Sequence, residues 1–164
     1  MSIGPGQLEF ELINQDGAAV TGADLRGRNV VMFFGFTNCQ MVCPTALGKL
    51  STVMQRLGPS SSQFCPVYVT VDPDRDTPTT MKQYLDRTAP GFVGLTGDPG
   101  ELERLRESMN VFVRRIEDPG APGGYRMPHT AITYVFDETG SYITHLGDGA
   151  SVEDMTSRLQ RLVK

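Results

Sequence analysis

Leu8, Phe10 and Leu12 alternate with Glu9 and Glu11, the period-two pattern of a strand with one buried face. Asn14-Gln-Asp-Gly17 supplies turn residues, and residues 18–20 can return as the second arm. An N-terminal β-hairpin is expected. Residues 30–36 (Val30-Val-Met-Phe-Phe-Gly-Phe36) are apolar throughout, as in a central strand covered on both faces. Ala46, Leu47, Leu50, Val53, Met54 and Leu57 then recur at helical spacing. Pro44 suits the first position of that helix, where its missing N–H costs nothing, and Gly58 suits its end.

Residues 66–71 predict a second apolar strand, closed by Asp72-Pro-Asp-Arg-Asp-Thr-Pro78. Thr77 is placed to cap a helix running to about Arg87, and Asp98 to cap another through Met109. Short strands are expected at 92–95 and 111–116, and a longer one at 130–136 that turns at Glu138-Thr-Gly140 into 142–146. The stretch 118–124, rich in proline and glycine, predicts a surface loop. Ser151 and Asp154 suggest a capping box for a last helix carrying Met155, Leu159 and Leu162. The order is a hairpin, then alternating strands and helices, then a closing hairpin and helix. It predicts an α/β fold with a central mixed sheet and helices on both faces. No repeat or linker interrupts residues 1–164, and that length suits one domain.

Composition narrows the partners. The balance of 39% hydrophobic and 21% charged residues is ordinary for a globular domain. A net charge of −4 without a basic cluster argues against nucleic acid. No apolar run approaches the roughly 20 residues that span a bilayer. The first 20 residues show no signal peptide, which fits either a cytosolic protein or a chain that starts after a removed segment.

Three cysteines are too few for a disulfide framework. Cys65, at the mouth of an apolar strand, reads as a buried thiol. Cys39 and Cys43 differ. They lie between the carboxyl end of a buried strand and a helix start, the edge where open α/β sheets bind ligands. Unpaired N–H groups at a helix start favour thiolate. The spacing permits a disulfide, and it also permits two thiolates to grip a soft metal. A four-cysteine cluster is excluded, and zinc would need two further ligands from a chain with two histidines. Cu(I) accepts two or three soft ligands.

His129 immediately precedes the strand expected at 130–136. By itself it reads as a loop histidine bonded to backbone; beside a cysteine pair it becomes a candidate third ligand. His145 reads as an ordinary strand histidine, sharing a face with Ile143. Met41 and Met127 are soft side chains beside the pair, more often packing than ligands.

The stretches Phe34-Gly-Phe-Thr-Asn-Cys39, Val42-Cys-Pro-Thr-Ala-Leu47, Val69-Thr-Val-Asp-Pro-Asp-Arg-Asp-Thr-Pro78, Leu95-Thr-Gly97 and His129-Thr-Ala131 together resemble the Sco/SenC family of copper chaperones. The resemblance covers nearly the whole chain. It implies a thioredoxin-like fold and copper, Cu(I) or Cu(II), held by Cys39, Cys43 and His129. It implies delivery to the dinuclear copper site of a cytochrome c oxidase subunit, or thiol–disulfide exchange on that site's cysteines through Cys39 and Cys43. The partner is then that subunit or another copper- or thiol-exchange protein. The family is usually tethered by an N-terminal transmembrane helix, facing the bacterial periplasm or mitochondrial intermembrane space, so a trimmed soluble domain is expected. Two positions depart from its pattern: Gln40-Met41 stands where Pro-Asp is common, and Pro128 where aspartate is common. Both departures make the site less anionic. The competing reading is a metal-free thiol–disulfide oxidoreductase, which needs no His129. A peroxidase ranks last, because Gly35-Phe-Thr-Asn38 lacks the proline and arginine of a peroxidatic cysteine motif.

Overall fold

The computed structural model describes residues 7–36, 42–129, 132–147 and 149–164, with the backbone alone for 42–44 and 122. Strand β1 (Glu11–Asn14) pairs antiparallel with β2 (Ala19–Thr21), Leu12 opposite Val20. The Asn14 side chain accepts from the N–H groups of Asp16 and Ala18, and Gly17 takes φ +81°, so the turn forms where its residue types demand. Leu8, Phe10 and Leu12 are all buried, as the alternation requires.

Strand β3 (Asn29–Gly35) is buried at every position. It runs parallel to β4 (Phe64–Thr70), which runs parallel to β5 (Val93–Thr96), and β5 pairs antiparallel with β1. A small separate ribbon joins β6 (Ile116–Glu117) to β7 (Tyr125–Arg126). On the other side of β3 lie β8 (Thr133–Phe136) and β9 (Tyr142–Leu146), each antiparallel to its neighbour. The sheet order is β2-β1-β5-β4-β3-β8-β9. Four helices complete the fold: α1 (Val42–Leu57), α2 (Pro78–Thr88), α3 (Pro99–Ser108) and α4 (Val152–Gln160).

Pleating sends alternate residues of β3 into two cores. Val31 and Phe33 pack with Leu47, Leu50 and Val53 of α1, Leu85 of α2 and Leu159 of α4. Val30, Met32 and Phe34 pack with Leu102 and Leu105 of α3 and with the N-terminal Leu8, Phe10 and Leu12. Each buried Phe of β3 contributes about 1.5–3 kcal/mol by removal from water, which explains why this strand tolerates no polar side chain after Asn29.

The predicted caps form: Thr77 accepts from Thr80 N–H, Asp98 from Glu101 N–H and Ser151 from Asp154 N–H. Two expectations are corrected. Helix α1 begins at Val42, so Cys43 lies inside its first turn and Pro44 is its third residue. A proline is tolerated there because first-turn N–H groups have no partner within the helix. Gly58, at φ +60°, ends α1 but leads into a 3-10 turn over residues 58–63. The strand expected at 111–116 is reduced to an isolated bridge at Val113 and to β6, because Asn110 at φ +57° turns the chain and its pairing partner is the 125–129 segment. Among the described residues, no helix is long and apolar enough to cross a membrane.

Candidate metal centre

Three parallel strands end together, at Gly35, Thr70 and Thr96. Strand β8 is antiparallel to β3, with Thr133 opposite Phe33, so the chain entering β8 arrives at that same edge. His129 lies on this entry. Its imidazole packs edge-on against Phe36, with ring centroids 5.7 Å apart, and Phe36 directly follows β3. Cys39 is three residues beyond Phe36 and lies outside the described residues, as do Gln40, Met41, Thr130 and Ala131. Cys43 is described by its backbone, in the first turn of α1. The structure therefore brings His129 to the end of β3 from which the cysteine segment departs.

His129 is half-buried, and its Nδ1 lies 2.9 Å from the carbonyl oxygen of Met127. A carbonyl only accepts, so Nδ1 carries the proton and donates. In the neutral ring the lone pair then sits on Nε2. An imidazole oriented by an Nδ1–H to a carbonyl is the usual form of a histidine metal ligand. The backbone holds the residue as well: His129 bridges Val113, and Arg114 N–H donates to Pro128 carbonyl at 2.9 Å. The Met127 side chain packs against the apolar core around Met32 and Phe34, which is the role of packing rather than of ligand.

The other candidates separate cleanly. Cys65 is 1% exposed, opposite Val30 at the amino end of β4, and burial pushes its thiol pKa up against the pull of Arg28. His145 is exposed on β9, its Nδ1 2.8 Å from the Tyr142 hydroxyl.

A buried polar network lines the same edge, and pattern reading did not assign it a role. Asp76 is fully buried and accepts from the Thr70 hydroxyl at 2.6 Å. Asp72, 3% exposed, pairs with Arg75 and accepts both ways from the Tyr125 hydroxyl, at 3.0 and 3.1 Å. Burial raises the Tyr125 pKa, and the bonds to Asp72 raise it further against Arg75 and Arg115, so the phenol remains a donor. The signal available in sequence was the density of charge in Asp72-Pro-Asp-Arg-Asp-Thr-Pro78 directly after a buried strand.

The SCO1/SenC family model matches residues 5–164, and the chain belongs to this family. It is 34% identical to an SCO2-like protein of Rickettsia conorii, over 93% of this chain and 74% of that protein. It is 32% identical to the human mitochondrial SCO2 homolog, over 95% of this chain and 59% of that one. Among solved structures, copper-bound ScoI of Bradyrhizobium japonicum superposes with a TM-score of 0.85 at 36% identity, covering 96% of this chain and 99% of that one. Copper-bound ScoI of Arabidopsis thaliana gives 0.89 at 29% identity, covering 98% of each. The thioredoxin-like α/β fold expected from the motifs is the fold these proteins share with this chain.

Proposed function

We propose that this chain is a copper-binding metallochaperone in which Cys39, Cys43 and His129 hold the ion as cargo, residues 1–164 acting as one domain. The observation that carries the reading is the His129 imidazole: its Nδ1–H is committed to the Met127 carbonyl and its ring is packed on Phe36, just ahead of the cysteine segment. The donor set fits the cargo. Two thiolates and one imidazole are soft and borderline ligands, a set that suits Cu(I). A cysteine at a helix start is favoured as thiolate, and Cys43 falls in the first turn of α1. Copper occupies the related ScoI structures of Bradyrhizobium japonicum and Arabidopsis thaliana, which supports the assignment.

The family resemblance supports delivery to the dinuclear copper site of a cytochrome c oxidase subunit, with Cys39 and Cys43 also able to exchange thiols with that site. It also supports a setting in the periplasm, or in the intermembrane space of a mitochondrion. The test is anaerobic Cu(I) titration of the reduced protein, with metal content measured after desalting. The wild type retains one copper per chain, and His129→Ala weakens binding by orders of magnitude. Full retention by His129→Ala would transfer the assignment to a dithiol exchanger.

A further inference from the structure

Arg75 leaves the turn after β4 and its guanidinium is enclosed on several sides. It pairs with Asp72, lies 3.7 Å from the centroid of the Tyr125 ring, and lies 5.7 Å from the Phe36 ring. Gly123 closes the enclosure. A Cβ built there would meet Arg75 Nη1 at 2.6 Å, and the residue sits at φ +73°, so only glycine lets the loop approach this closely. The side chains of Arg75 and Asp72 are 15% and 4% exposed. An ion pair this desolvated cannot lose one member without leaving the other uncompensated.

Two of the groups that Arg75 touches bear on His129, beside the Met127 carbonyl that takes its Nδ1–H. Phe36 carries the imidazole on its ring. Tyr125 starts the run that reaches His129 four residues later, and its hydroxyl binds both Asp72 oxygens. That run is paired with Val113 and Arg114 rather than with the main sheet. Among these contacts, those of Arg75 and Asp72 tie the His129-bearing ribbon to the end of the sheet.

We propose that Arg75 is a positioning residue for His129: by stacking on both Phe36 and Tyr125 it fixes the imidazole relative to the cysteine segment and so sets the copper affinity. The proposal rests on His129 being a copper ligand. A ligand already held in place loses less conformational freedom when the ion arrives.

The experiment is a double-mutant cycle in the full chain, reading Cu(I) affinity by competition with a chromophoric Cu(I) chelator. Arg75→Met weakens affinity about 10- to 100-fold, the range for losing a ligand's supporting partner. The double variant Arg75→Met/His129→Ala is no weaker than His129→Ala alone, because Arg75 acts through the histidine. Should Arg75→Met fail to fold, Tyr125→Leu serves in the same cycle, with Tyr125→Phe, which keeps the stacked ring, staying nearer the wild type. An equal loss in the His129→Ala background overturns the proposal, since Arg75 would then act elsewhere. Wild-type affinity in Arg75→Met, with His129→Ala weak, overturns this proposal alone. Wild-type affinity in His129→Ala removes the copper-ligand reading and the proposal with it.

Discussion

The Cys65 side chain is buried in the core. Cys65 stands at the amino end of β4, five residues before Thr70 at the functional edge. At about 3.3 Å per residue that is about 16 Å of strand, too far for a shared ion. Its burial raises the thiol pKa. Cys65→Ser is therefore expected to leave Cu(I) stoichiometry and affinity unchanged in a chelator competition. It is also expected to lower stability by roughly 1–3 kcal/mol in denaturant unfolding, because a hydroxyl replaces a buried thiol. Loss of copper in this variant would place Cys65 in the site. Of the proposed site, the cysteine pair was readable as a redox pair or a metal clip from its spacing, the proline after it and its place at the sheet edge together. His129 rose above a loop histidine only beside the cysteine pair, because the carbonyl of Met127 and the ring of Phe36 that hold it are set by tertiary structure. The bond from Tyr125 to Asp72 spans 53 residues, and no local pattern announces it.

Elements were legible where local chemistry decides them. Thr77, Asp98 and Ser151 cap helices because each places an oxygen at a free N–H two or three residues on. The start of α1 was misplaced by two residues because proline is acceptable anywhere in a first turn and so cannot fix which residue begins it. The strand expected at 111–116 failed for another reason: Val111, Phe112 and Val113 are apolar, yet Phe112 is 77% exposed and the segment pairs with the His129 ribbon instead of the sheet. The turn between β8 and β9 shows a carboxylate at work. Partial burial raises the Asp137 pKa, but bonds from the Thr139 hydroxyl and from the N–H groups of Ser141 and Thr139 outweigh it, and the net shift is downward. A carboxyl lowered on folding stabilises the protein above its unfolded pKa, and that contribution is lost as pH falls through the folded one. Asp137→Asn should therefore be less stable than wild type at pH 7, with the gap closing as unfolding is measured through and below the ordinary carboxylate range. A gap that stays constant with pH would show that the charge is not what the turn uses.

Across the whole molecule, the sheet gathers residues that are remote in sequence. Phe36 follows β3, Asp72 and Arg75 follow β4, and Tyr125 and His129 precede β8, and all meet at one edge. The alternation of strands and helices made the layered fold readable, because β3 is apolar on both faces and each face needs a cover. Strand order was less readable: β1 lies beside β5, with Asn14 opposite Leu95, through a pairing that hydropathy does not encode. The proposed copper site, with Cys39, Cys43 and His129 on one ion, rests on this shared edge. X-ray absorption at the copper edge of the reduced, Cu(I)-loaded protein tests it most directly. A first shell of two sulfurs and one imidazole nitrogen is expected, with the nitrogen lost in His129→Ala. A shell of sulfur alone in the wild type, or one without sulfur, would contradict it.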